Sequence, residues 1–258
     1  MPRATSTSAL ATLLALVVLT LAAVSAFGDG KRFSEIAEIK LTGQNLPAGW
    51  ALVEEVIADE AALAKFKTIY GVKAESIVNQ IFNAAGQRVQ LNYCLFSDAP
   101  LAELAAAKIS VFTRSQNPIV QSGNSVVEII TGDPWKKQSV LTALGLPGLE
   151  GVLLTEQSTP KDWALSAVVL VDRAQLPIFR TKLDAPVEIL FNQVFKVNGT
   201  IVKINYIGMP DEAAAERLRS VMAGTATEGR VVLRRGQVVI EILSTDPDLV
   251  SRAAAALG

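Results

Sequence analysis

Residues 191–206 read FNQVFKVNGTIVKINY, and residues 78–93 read VNQIFNAAGQRVQLNY, so the chain carries the same hairpin twice. Laying Asn79 on Asn192 is a shift of 113 positions. At that same shift Leu41-Thr42 falls on Leu154-Thr155, Trp50-Ala51-Leu52 on Trp163-Ala164-Leu165, Asp133-Pro134 on Asp246-Pro247, and Ala143-Leu144-Gly145 on Ala256-Leu257-Gly258. About a third of positions are identical with no gap, so residues 41–145 and 154–258 are tandem copies of one ancestral unit. Whatever one unit folds into, the other must fold into as well, and residues 146–153 are the only room for a linker between them. Eight residues span too little to hold the units far apart.

The alternation of apolar residues gives each unit the order strand, helix, hairpin, helix, hairpin, helix. Trp50 to Ala58 and Trp163 to Val171 read as first strands. Residues 60–70 follow Asp59 with Ala62, Leu63, Phe66 and Ile69 spaced for one apolar helical face, as residues 173–182 follow Asp172. Pro177 stands where the first unit has Ala64 and is expected to kink that helix or delay its start. Val89, Leu91 and Tyr93 alternate with Gln90 and Asn92, and Val202, Ile204 and Tyr206 with Lys203 and Asn205, which gives each hairpin one apolar and one polar face. Asn198-Gly199 marks a tight turn. Asp133-Pro134 and Asp246-Pro247 are cap-and-proline helix starts. The expected fold class is α+β: two tandem two-layer domains, each a mostly antiparallel sheet of about five strands with helices on one face, in the order β-α-β-β-α-β-β-α.

The N-terminus reads as an export signal. Arg3 precedes an apolar run from Ala9 to Val24, and Val24-Ser25-Ala26 supplies small residues for cleavage, so residues 1–26 are expected to be removed. An uncleaved membrane anchor is the alternative, the run being at the lower limit for a span. Residues 27–40 form a leader. The mature chain then holds 23 Lys and Arg against 25 Asp and Glu, a balance that argues against nucleic acid as a partner. Cys94 is the single cysteine and Ile207 its counterpart, which points to a buried apolar position. An exported chain without disulfides suits a bacterial envelope, periplasmic or secreted.

The chain has no histidine, which removes serine and cysteine triads and the commonest metal ligand, and one cysteine excludes thiolate zinc sites. No glycine-rich phosphate loop occurs, and no cofactor is expected. Carboxylate chemistry is the enzymatic route left, with Glu128 and Glu241 as candidates; each lies inside a strand, where a partner such as Arg88 or Lys203 accounts for it as well. Asp59 and Asp172 read as caps. Asn79-Gln80 and Asn192-Gln193 put one amide of each pair on the packed face, available to a ligand, a peptide backbone or a neighbouring loop. Trp50 and Trp163 read as anchors of the first strands, with Tyr93, Tyr206, Asp133 and Asp246 as further structural positions. Trp135, whose counterpart is Asp248, is the tryptophan expected to be exposed and to meet a partner.

The residues therefore lead to an exported, non-catalytic protein that binds or scaffolds an envelope protein. The alternatives are a carrier of an apolar or amphipathic small molecule and, third, a carboxylate-dependent hydrolase. Membrane contact is expected only through a retained N-terminal segment.

Overall fold

The computed structural model describes residues 24–27, 32–113, 117–144, 149, 151–171, 175–225 and 227–258. The first unit contributes β2 (Trp50–Ile57), α1 (Glu60–Tyr70), β3 (Ser76–Ala84), β4 (Gln87–Leu95), α2 (Ala99–Phe112), β5 (Ile119–Ser122), β6 (Ser125–Ile130) and α3 (Pro134–Ala143). The second contributes β7 (Ala164–Leu170), α4 (Leu176–Leu183), β8 (Ile189–Val197), β9 (Thr200–Gly208), α5 (Glu212–Gly224), β10 (Arg230–Arg235), β11 (Val238–Ser244) and α6 (Pro247–Leu257). The chain is an α+β protein of two such units, and their strands lie in the orders β5-β6-β4-β3-β2 and β10-β11-β9-β8-β7, antiparallel throughout. A further short strand, β1 (Val24–Phe27), lies parallel to β5 and straddles the expected cleavage point, so its removal would leave five strands. Nearly all of the apolar run from Ala9 to Val24, read as an export signal, falls outside the described residues, as does Asp172. No helix among the described residues is long and apolar enough to cross a membrane.

The duplication extends to details of bonding. A bulge interrupts β2 between Leu52 and Glu54, and β7 between Leu165 and Ala167, at matched positions. Asp98 and Asp211 cap α2 and α5 by accepting from Leu101 N–H and Ala214 N–H, and Asp133 and Asp246 cap α3 and α6 in the same way. Ala85 and Asn198 both take left-handed φ in the hairpin turns. Pro177 sits in the first turn of α4, which therefore begins at Leu176.

Each sheet packs on both faces, except that the edge strand β2 is left largely exposed. On the outer faces α2 packs over Cys94 and Val126, and α4 and α5 over Ile207 and Val239. Here α1 is a loose fit: Leu63 and Phe66 are half buried, but Ala62 and Ile69, expected on its apolar stripe, are exposed. The inner faces share one continuous core that runs from Phe82, Leu91 and Tyr93 of the first sheet to Phe195, Ile204 and Tyr206 of the second. The third helix of each unit crosses to this inner side rather than joining the first two. α6 lies on its own strands β10 and β11, whereas α3 touches β6 only lightly and lies mainly on β7 of the other unit. The leader is tied in by Asn124, which accepts from Phe33 N–H at 2.8 Å and donates to the Phe33 and Phe96 carbonyls. Its single 3-10 turn at Ile36–Glu38 covers β3 and β4.

Candidate functional site

The matched polar residues fall into two sets in each unit. On the outer face Asn79, Asn92 and Glu128 stand directly opposite one another across β3, β4 and β6, as do Asn192, Asn205 and Glu241 across β8, β9 and β11. Asn79 donates to Asn92, which donates to Glu128 at 2.7 Å; Asn192 donates to Asn205, which donates to Glu241 at 2.8 Å. Each carboxylate takes its second partner from the neighbouring strand or the loop before it: Asn117 for Glu128 at 2.8 Å, and its counterpart Arg230 for Glu241 at 2.7 Å. The cation is therefore Arg230, not Arg88 or Lys203, and Glu128 meets amides alone. Glu241 is almost wholly buried, and its pair with Arg230 is the most enclosed ion pair among the described residues.

On the inner face Gln80 and Gln193 do a joining task. Gln80 donates to the Leu41 carbonyl and Gln193 to the Leu154 carbonyl, while the hydroxyls of Tyr93 and Tyr206 accept from the N–H groups of the same two residues. Each unit thus pins its own first residue to its central hairpin. Trp50 leans on Phe82 at 5.9 Å and Trp163 on Phe195 at 5.5 Å, which puts both tryptophans in the same setting. Burial raises the Tyr93 and Tyr206 pKa values, and pushes the Cys94 thiol up to about 12 with the Glu128 charge adding to it. Trp135, expected to be exposed, is half buried against Phe195 at 6.1 Å, because α3 lies on the second sheet. The hydrogen bonding of the amides and carboxylates singled out in the sequence is thus largely spent inside the chain. No cluster of three His, Cys, Asp or Glu able to hold a metal occurs among the described residues.

The accessible features lie elsewhere. Of the ten large apolar side chains that are exposed among the described residues, eight belong to the first unit and two, Ile178 and Val221, to the second. Four are on β2, the free edge of its sheet: Leu52 is 48 % exposed, Val53 65 %, Val56 47 % and Ile57 68 %. Leu52, Glu55 and Ile57 face inward, opposite Phe82, Gln80 and Val78. Glu55 bonds Lys40 at 2.8 Å and Gln80 at 2.7 Å, and these two donors hold its carboxyl below the ordinary value. A second apolar area, an open groove lined by Ile69, Tyr70, Lys108, Val111 and Phe112, lies where α1 meets α2. Between the leader, β5, β6 and the end of α3 is a cavity of about 210 Å³, lined by Phe33, Val120, Val127 and Leu144 among others. Sequence reasoning missed both surfaces. A signal for the groove was present in the differences between units: Ile69, Val111 and Phe112 stand where the second unit has Lys182, Gly224 and Thr225.

Comparison of the chain with protein-family models, with curated proteins and with solved structures finds no match.

Proposed function

We propose that this chain is an exported, non-catalytic binding or scaffolding protein of a bacterial cell envelope, and that its first unit carries the surface for a protein partner. The observation that carries the reading is β2, an edge strand with four large apolar side chains open to water on both faces, in a chain whose second unit keeps the same strand covered. Native proteins protect such edges with charge, a bulge or a covering element. Here the bulge and the two glutamates are present, but the apolar side chains remain, and exposed apolar groups gathered at one edge mark interaction sites. The polar ladders support the same reading, since Glu128 and Glu241 are held as structural acceptors and not set apart as an acid and a base.

A carrier of an apolar small molecule is the second reading. It draws on the cavity beneath the leader, whose 210 Å³ is below the roughly 300–1,000 Å³ of most ligand sites. The test is photo-crosslinking in the envelope of the producing cell, with benzoylphenylalanine placed in turn at positions 53, 57, 112, 178 and 221 of the full chain. Adducts to a distinct protein from 53, 57 or 112, and none from 178 or 221, are expected. Adducts from no first-unit position, or equal adducts from all five, would refute the reading.

A further inference from the structure

We propose that the inner face of β2 is a docking site for an amphipathic helix of a partner protein, a helix that, like α3, turns an aromatic residue of its first turn and an amide one turn later toward the sheet. The proposal rests on the first unit being the binding half, and it adds what kind of element binds and where.

The duplication supplies an occupied copy of the same site. In the second unit α3 lies across β7, and beneath it Trp163, Leu165, Val168 and Leu170 are 6–9 % exposed. Trp135 of α3 packs on Phe195, and Gln138 accepts from Gln193 at 2.7 Å and donates to the Leu154 carbonyl at 2.8 Å. Moved back by 113 positions, these surfaces are Trp50, Leu52, Glu55, Ile57, Phe82, Gln80 and Leu41, with the same strand pairing and the same bulge. No described helix lies on them. The leader offers three residues of 3-10 helix where α3 offers ten of α-helix; it reaches β3 and β4 and meets β2 through Lys40, which bonds Glu55 at 2.8 Å. Leu52 and Ile57 are consequently exposed where Leu165 and Leu170 are buried.

The strip differs from its copy at one charged position: Glu55 replaces Val168 and is met by Lys40 at 2.8 Å, while Glu54 lies opposite Ile81 on the outer face. The same comparison argues against a second copy as occupant. The matching helix α6 carries Asp248 and Ser251 where α3 has Trp135 and Gln138, and it is packed on its own sheet.

The test uses the full chain and a fluorescein-labelled peptide with the sequence of residues 133–144, lactam-stapled because an isolated helix this short is marginal in water. Saturable binding is expected. Ile57→Asp and Leu52→Asp should weaken it about tenfold or more, a loss of at least ~1.4 kcal/mol, while Phe112→Asp and Val221→Asp leave it unchanged. All four positions are at or near the surface, and circular dichroism melts confirm that each variant folds. Absence of saturable binding, or equal binding by Ile57→Asp, overturns the proposal, as does a β2-dependent dimer of the chain in sedimentation. Loss with Phe112→Asp alone overturns helix docking on β2 but leaves the first unit as the binding half; the crosslinking experiment judges that separately.

Discussion

Arg230→Met would leave the Glu241 carboxylate, which is 1 % exposed, with a single neutral donor, the Asn205 amide at 2.8 Å. In the native chain Arg230 Nε donates to it at 2.7 Å, and Arg230 Nη1 anchors the strand start by donating to Thr225. Removing one partner of a buried pair costs about 3–5 kcal/mol, because the remaining charge stays dehydrated. With a urea m-value near ~3 kcal/mol/M, that is a midpoint lower by about 1–2 M, readable by tryptophan fluorescence. Two companions sharpen the test. Arg230→Asn recreates the arrangement of the first unit, where Asn117 serves Glu128, and should cost less than Met. Its cost should not vanish, because Glu128 is half buried and Glu241 is not reached by water. The double variant Arg230→Met with Glu241→Leu removes both charges and should recover most of the loss, leaving the buried Asn205 amide without its acceptor and Thr225 without the Arg230 donor. A cost below about 1 kcal/mol for Arg230→Met, or a double variant no more stable than the single, would show that Glu241 is not the dehydrated charge this structure makes it.

Tyr206→Phe removes a hydroxyl that accepts from Leu154 N–H and donates to Gln193, and should cost about 1–3 kcal/mol; Tyr93→Phe, whose hydroxyl accepts from Leu41 N–H, should cost less in the same denaturation assay. Ala85 is held at φ 54°, where its counterpart Asn198 sits at φ 50°, so Ala85→Asn should stabilise the chain by about 0.5–1 kcal/mol and raise the melting temperature. The Cys94 thiol, buried and with its pKa pushed to about 12, should resist alkylation between neutral pH and about pH 9 until the chain unfolds. Its sign is that of an acid kept protonated by folding: the folded state binds the proton more tightly. Stability from this site is therefore complete below the ordinary thiol pKa of about 8.5 and declines as pH rises toward 12. Native-state labelling of Cys94 at pH 8 at the rate of a free thiol would contradict the burial.

Much of the fold is legible in the chain because the repeat doubles every local signal. The caps at Asp133 and Asp246, the hairpin turns at residues 85–86 and 198–199, and the alternation of Tyr93 with Asn92 each need only a few neighbouring residues to act. What lies across a strand is harder to read. The Asn-Gln pairs were visible as paired amides, one inward and one outward, yet their partners, Leu41 and Asn92 for one pair and Leu154 and Asn205 for the other, follow from register. The helix stripe of α1 misled because helical spacing tells which residues share a face, not whether anything covers that face.

Leu52 and Leu165 make the division plain. They are the same residue, in the same strand of the same repeat, opposite Phe82 and Phe195 at the same place beside the same bulge, and sequence alone gives both the same place in a first strand. One is 48 % exposed and the other 7 %. Sequence by itself determined the duplication, the order of elements, the turns and caps, and the absence of histidine chemistry, since these rest on composition and on contacts within a few residues. Tertiary structure alone decided that α3 leaves its own sheet for the next unit's β7 and that, among the described residues, no α-helix covers Leu52 and Ile57 of β2, because burial depends on what arrives from elsewhere in the chain.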